Sequence, residues 1–110
     1  MKNARKFLEK RFDYILSKDI DRLMKEQYHD DVVMLSLDRK IKLEGKSAIK
    51  QAFEKFIEDE IESVKVGDVM ETEDVIYFSA TINRRSGVLH AQEAFYLKEG
   101  KIFRQFSHEE

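Results

Sequence analysis

The period of the hydrophobic pattern changes along this chain of 110 residues. In the first half, apolar residues recur mostly every three to four positions, as on the buried face of an amphipathic helix. After about Ser63 the sequence alternates between apolar and polar residues, with short polar breaks between the alternating segments. Helices followed by a run of strands predict an α+β domain and not an alternating parallel nucleotide-binding fold.

Three helices are predicted. The first has apolar residues from Ala4 to Leu16 and is expected to end near residues 17–18. Asp19 is a favourable N-cap for a second, shorter helix that reaches Tyr28 and stops at residues 29–31. Gly45 precedes the third helix, which has the clearest helical period. Its apolar stripe consists of Ile49, Ala52, Phe53, Phe56, Ile57 and Ile61.

The other segments have the alternation and the β-branched content of strands. Residues 32–37 and 41–43 predict an early hairpin. Four later strands with three short connections predict an antiparallel meander: residues 64–70, 75–83, 88–97 and 102–107. We expect one domain, residues 1–110, in which the helices close a strongly curved antiparallel sheet into a pocket.

The composition disfavours several classes of partner. Lys and Arg number 20 against 22 for Asp and Glu, so the net charge of -2 gives no field that attracts nucleic acid or acidic lipids. The longest apolar stretch, residues 75–78, is far too short to span a membrane. The absence of cysteine excludes disulfides and thiolate sites. We expect a cytoplasmic protein with no nucleic-acid and no membrane partner.

Two strands of the meander have apolar residues on both faces. In residues 75–83 the set that includes Ile76 and Phe78 is expected to meet the helices. The opposite face of the sheet carries Tyr77, Val88 and Tyr96. A second half-apolar face favours burial between two copies, so we predict a homodimer through the outer sheet face.

Several cap, turn and hairpin signatures occur in a fixed order along the chain. They are SKDIDRL (17–23) leading to YHDDVV (28–33), then LEGKSAI (43–49), and finally FYLKEGKI (95–102). In this order the chain resembles the nuclear transport factor 2-like superfamily, which includes ketosteroid isomerase, scytalone dehydratase and polyketide-cyclase-like proteins. The resemblance implies a cone-shaped, cystatin-like roll with a central pocket. It implies no single activity, since members include enzymes and non-catalytic binding modules.

Glu93 is the candidate catalytic residue. Its neighbours on the same strand face are all apolar: Leu89, Ala91, Phe95 and Leu97. A carboxyl group among them is expected to be partly desolvated, which favours the protonated acid and suits proton transfer. The resemblance places Glu93 near the inward-facing acid of ketosteroid isomerase. The alternative is a structural glutamate paired with a buried Arg, Gln or Tyr.

The second group that isomerase chemistry needs is missing from the pattern. By the resemblance, the proton-shuttling Asp of the family falls at or near Ser36, whose hydroxyl is a poor base. Asp38 is more typical of a hairpin turn. Tyr14 lies near the place of the family's catalytic tyrosine, although Phe12 aligns better with that position. Ketosteroid isomerisation itself is therefore not supported.

The remaining candidates are expected to line an apolar pocket. The resemblance implies, through the hairpin register of the family, that Gln105 and Ser107 face the concave side, where Gln105 can hydrogen-bond Glu93 or a ligand. Two tyrosines add hydroxyl groups to otherwise apolar walls. The predicted ligand-binding residues are Tyr14, Tyr28, Met34, Ser36, Phe53, Phe56, Phe78, Phe95 and Gln105. Ordinary core packing is the alternative for each of them.

No metal and no cofactor is expected. His29, His90 and His108 are too scattered for a metal motif, and the chain has no phosphate-binding glycine motif. Two functions stay open. One is a protein that binds a small, largely apolar molecule, with or without isomerase, dehydratase or cyclase chemistry at Glu93. The other is a non-catalytic, dimeric protein-interaction or regulatory module.

Overall fold

The structure, a computed structural model, describes residues 3–110. Its elements follow the order α1 (Ala4–Leu16), α2 (Ile20–Gln27), β1 (Tyr28–Ser36), β2 (Ile41–Glu44), α3 (Lys46–Phe56), β3 (Ile61–Glu71), β4 (Val75–Arg84), β5 (Gly87–Lys98) and β6 (Lys101–Glu109). The α+β class is confirmed. Residues 1 and 2 of the expected domain lie outside the described residues. Within residues 3–110, no helix is long and apolar enough to cross a membrane.

Local chemistry explains where the helices begin and end. The Asp19 side chain accepts a hydrogen bond from the backbone N–H of Arg22 at 3.3 Å, so the predicted N-cap of α2 is confirmed. Gly45 precedes α3 with a φ of 86°, a conformation that favours glycine. The prediction that Tyr28 ends α2 is wrong. Tyr28 has extended backbone angles and begins β1, where it pairs with Ile102 of β6.

The strands form one six-stranded sheet in the order β2-β1-β6-β5-β4-β3. The hairpin and the meander are antiparallel, as predicted. However, β1 and β6 are parallel neighbours, with Val33 beside Arg104 and Ser36 beside Ser107. The expectation of a wholly antiparallel sheet is therefore wrong, because this pairing joins strands at opposite ends of the chain and has no local sequence signal.

The sheet is not strongly curled, which corrects the expected strongly curved, cone-shaped roll. Strong curvature needs repeated bulges and glycine kinks. Here the interior of the strands contains a single glycine, Gly67, beside a register shift between Val66 and Val69. The other register shifts, between Tyr28 and Val33, Ile61 and Ser63, and Tyr96 and Leu97, contain no glycine.

The core lies between the helices and one face of the sheet. The predicted inward sets of β4 and β5 are buried, among them Phe78 and Phe95 at 0% exposure. The face of α1 that includes Leu8 and Ile15 packs against them. In contrast, α3 ends at Phe56, so the prediction that Ile61 belongs to its apolar stripe is wrong, and Ile61 begins β3. Within α3 only Ile49 is fully buried. The remainder of the stripe is incompletely covered, so α3 stands off the sheet.

Candidate functional site

A cavity of about 490 Å³ lies between α1, α3 and the sheet. Small-molecule sites are commonly about 300–1,000 Å³ and mostly apolar, with a few polar groups. The apolar lining includes Phe12, Ile15, Met34, Ile41, Leu43, Ile49, Ala52, Phe53, Phe56, Ile61, Val64, Ile82, Leu89 and Ala91. The polar lining consists of Arg11, Arg39, Lys55, Glu93, Gln105, Ser107 and Glu109. The cavity thus has the size and composition of a small-molecule site.

Glu93 is half-buried and lines this cavity. Its Oε1 accepts hydrogen bonds from Nε2 of Gln105 at 2.8 Å and from Oγ of Ser107 at 2.7 Å. The expected contact between Gln105 and Glu93 is thus present. Both donors are buried on β6, directly beside β5 in the sheet. Within residues 3–110, Oε2 makes no hydrogen bond, so one oxygen of a firmly held carboxylate is available to a ligand.

Gln105 connects Glu93 to a fully buried tyrosine. The Tyr28 hydroxyl donates to Oε1 of Gln105 at 2.6 Å and accepts from Nη2 of Arg11 at 2.9 Å. Burial raises the pKa of Tyr28 above its ordinary value of 10.0, so the hydroxyl stays protonated at neutral pH. The four side chains therefore form a chain of hydrogen bonds, in which Arg11 donates to Tyr28, Tyr28 to Gln105 and Gln105 to Glu93.

Arg11 is the site residue that sequence reasoning missed. It is only 2% exposed, and three aromatic rings surround its guanidinium. The Cζ atom lies 4.7 Å from the ring centroid of Phe95 and 5.4 Å from those of Tyr28 and Phe53. The sequence did contain an indication of its burial, since Arg11 lies four residues after Phe7, within the apolar stripe of α1. The sequence does not reveal that rings from three other elements enclose it.

A second carboxyl group, Glu109, also lines the cavity. It lies two residues beyond Ser107 on the same face of β6, and its Oε1 accepts a hydrogen bond from Nη2 of Arg39 at 2.7 Å. Burial raises the pKa of Glu109 above its ordinary value of 4.5, against the opposing effect of Arg39. The alternation of Gln105, Ser107 and Glu109 was visible in the sequence, but the predicted strand ended at residue 107.

Of the predicted ligand-binding residues, four line the cavity: Met34, Phe53, Phe56 and Gln105. Tyr28 lies behind the wall and reaches it only through Gln105. Phe78 and Phe95 do not line the cavity. They are fully buried with ring centroids 5.2 Å apart, which is the core packing that was their alternative interpretation.

Tyr14 and Ser36 also lie outside the cavity lining. The Tyr14 hydroxyl donates to Glu26 of α2 at 2.9 Å, which raises the pKa of Tyr14. Ser36 is buried and donates to Asp38 at 3.2 Å in the turn after β1. Both hydroxyl groups therefore have local partners, and the structure does not bring them to Glu93.

The three histidines remain apart. His29 packs against Phe103, and His90 is exposed beside Thr81 on the face opposite Glu93. His108 lies near Asp38, with its Nδ1 3.8 Å from the carboxylate. Across residues 3–110, no group of three or more His, Asp or Glu side chains is arranged to hold a metal ion.

Comparison with known proteins shows similarity in structure only. No protein-family model and no curated protein matches this sequence. A candidate ketosteroid isomerase from Kribbella flavida DSM 17836 superposes with a TM-score of 0.86 at 11% identity, covering 100% of this chain and 79% of that one. An NTF-2 like protein of unknown function from Burkholderia xenovorans LB400 gives 0.82 at 12% identity, covering 98% and 83%.

An enzyme of known pathway role is also similar. The epoxide hydrolase/cyclase-like enzyme SalBIII, which acts in pyran ring formation in the polyether salinomycin, superposes with a TM-score of 0.82 at 14% identity. The matched region covers 99% of this chain and 92% of that one. The chain therefore has the nuclear transport factor 2-like fold, as the resemblance implied. Identities this low assign the fold and leave the activity to be argued from the site.

Proposed function

We propose that this protein binds a small, largely apolar molecule in the cavity and that Glu93 contacts the ligand. The observation that carries the proposal is a half-buried carboxylate held by two buried donors in an apolar cavity of about 490 Å³. Positioned polar groups in an otherwise apolar wall fix the orientation of a ligand and select for it. The uncovered stripe of α3 supplies the apolar surface for the body of that ligand.

The same cavity contains the groups for proton transfer. Glu93 offers a free carboxylate oxygen, and Glu109 on the same wall holds its proton more readily than an exposed glutamate. Two carboxyl groups in different environments can divide the roles of base and acid. Isomerisation, dehydration and cyclisation all need a proton removed at one atom and returned at another. We therefore propose proton-transfer chemistry of this class, with Glu93 as the base.

The test uses Glu93→Gln, which keeps the shape of the side chain and an oxygen that can accept from Gln105 and Ser107. Wild-type protein should accelerate exchange of the methyl protons of 2-acetylnaphthalene in D2O, followed by NMR. Glu93→Gln should abolish this acceleration with little change in thermal stability. Glu62→Gln, the same change at an exposed position of β3, is the matched control and should behave as wild type.

Three results would count against parts of the proposal. Acceleration of exchange that survives in Glu93→Gln would remove the base role. Failure of wild-type protein to bind any small apolar probe at millimolar concentration, measured by calorimetry, would remove the binding function. A large loss of stability in Glu93→Gln without any change in ligand binding would favour the structural interpretation of this residue.

A second function is favoured by the outer face of the sheet. Val88 and Tyr96 are 54% and 48% exposed, and the Tyr96 ring contacts Phe106 with centroids 5.7 Å apart. Phe106 also lines a groove together with Val33 and Leu35. A non-catalytic dimeric module would bury this face between two copies. Sedimentation velocity tests it: a monomer mass at tens of micromolar contradicts the dimer, and a dimer that Tyr96→Lys dissociates supports it.

A further inference from the structure

The guanidinium of Arg11 has donors without acceptors. Its Nε and Nη1 atoms are buried and have no hydrogen-bond partner in the part of the chain that the structure describes. A guanidinium carries five N–H donors, and the contact from Nη2 to the Tyr28 hydroxyl occupies only one of them. None of the ion pairs among residues 3–110 involves Arg11. A buried charge without a counter-charge costs free energy, so the unpaired donors of Arg11 point to an acceptor that is not part of the described chain.

The aromatic rings do not remove this deficit. Rings attract a cation through their faces, and three rings lie within 5.4 Å of the Arg11 Cζ atom. Stacking on a ring leaves the in-plane N–H groups of a guanidinium without acceptors. The rings therefore hold the guanidinium in place and exclude water, but an acceptor at its edge is still absent.

Neither carboxylate of the cavity bonds to Arg11. Oε1 of Glu93 accepts from Gln105 and Ser107, its Oε2 makes no hydrogen bond within the described residues, and Glu109 pairs with Arg39. The lining also contains three cationic residues, which are Arg11, Arg39 and Lys55, against two carboxylates. No side chain of residues 3–110 therefore gives an acceptor to Nε or Nη1 of Arg11, and the excess of cations in the lining favours an acceptor that a ligand brings.

We infer that the ligand of this cavity is a small monocarboxylate whose carboxylate accepts hydrogen bonds from Arg11 and whose apolar body packs on α3. The inference deepens the proposed function and depends on it. A planar carboxylate matches the planar guanidinium and can accept two parallel bonds. A phosphate would bring additional oxygens and charge into walls that are mostly apolar, where they would lack partners.

Arg11 itself lines the cavity, so a ligand there can reach its guanidinium. Of the three rings around Arg11, Tyr28 and Phe95 are fully buried, whereas Phe53 is half-buried and lines the cavity from α3. Phe53 is therefore the ring beside which a bound carboxylate would lie.

The experiment compares acids with their primary amides, which have nearly the same shape and no charge. Octanoate with octanamide, and 2-naphthoate with 2-naphthamide, are titrated calorimetrically at pH 7 into wild-type protein, Arg11→Met and Lys65→Met. Wild type should bind each acid at least tenfold more tightly than its amide. Arg11→Met should lose this preference through weaker acid binding, with amide binding unchanged. Lys65→Met removes an exposed cation and should keep the preference.

Each outcome supports or overturns a specific part of the inference. Amides that bind wild type as tightly as the acids overturn the inference and leave the proposed binding function intact. An acid preference that persists in Arg11→Met overturns the role of Arg11. Binding of neither probe type at millimolar concentration contradicts the proposed function itself. If Arg11→Met does not fold, Arg11→Lys keeps the charge without the planar donors and should lower the ratio of acid to amide affinity.

Discussion

The Tyr28 hydroxyl satisfies two buried groups at once, so its removal should destabilise the fold strongly. Tyr28→Phe deletes a single oxygen and leaves the ring in place, which keeps the cavity contribution small. Two partners then lose their contact: Nη2 of Arg11 and Oε1 of Gln105, in residues that are each 2% exposed. Neither atom has another hydrogen-bond partner within residues 3–110.

The expected magnitude follows from these two losses. An unsatisfied buried neutral group costs about 1–3 kcal/mol, and a charged one costs more. For Tyr28→Phe we expect a loss of about 3–5 kcal/mol in the free energy of unfolding, which is a large part of the roughly 5–15 kcal/mol that stabilises a typical domain. At about 4 °C per kcal/mol for a domain of this size, the Tm should fall by on the order of 12–20 °C.

Urea-induced unfolding followed by far-UV circular dichroism measures this loss. Tyr96→Phe removes a hydroxyl from a residue that is 48% exposed and should change stability by less than about 0.5 kcal/mol. In the background of Arg11→Met only Gln105 loses a partner, so the cost of Tyr28→Phe should fall to about 1–3 kcal/mol. A cost below about 1 kcal/mol, or an equal cost in both backgrounds, would refute the network as described.

Two further predictions concern stability. Burial raises the pKa of Glu109 in the fold despite Arg39, so the native state favours the protonated form of this side chain. The free energy of unfolding of wild type, relative to that of Glu109→Gln, should therefore fall as pH rises from 4.5 towards neutrality. Urea unfolding at several pH values measures this, and an opposite trend would contradict it. A Cβ at Gly67 would lie 2.6 Å from Oγ of Ser79, and this Oγ accepts a hydrogen bond from the backbone N–H of Asp68. Gly67→Ala should therefore lower the free energy of unfolding, measured by thermal unfolding, by about 1–3 kcal/mol. That cost should largely disappear in the background of Ser79→Ala, and its persistence would locate the strain elsewhere.

The local elements could be predicted from the sequence because their causes are local. The Asp19 cap, the helical stripes and the alternation of β4 and β5 each depend on residues a few positions apart. Strand parity grouped Glu93 with apolar neighbours on one face, and the family resemblance placed Gln105 on the concave side, where it contacts Glu93. The amino-acid sequence alone therefore determined the candidate carboxylate and one of its two donors.

What covers each apolar face was decided only in three dimensions. The stripe of α3 has the same period as a core-facing stripe, yet most of it lines a cavity, because periodicity shows which face is apolar and not what packs on it. The parallel pairing of β1 with β6 brings Tyr28 next to Gln105 from the other end of the chain. The enclosure of Arg11 by rings of three other elements has the same origin. Contacts between distant segments leave no periodic pattern in the sequence. These contacts determined which charged side chains lie together in the cavity.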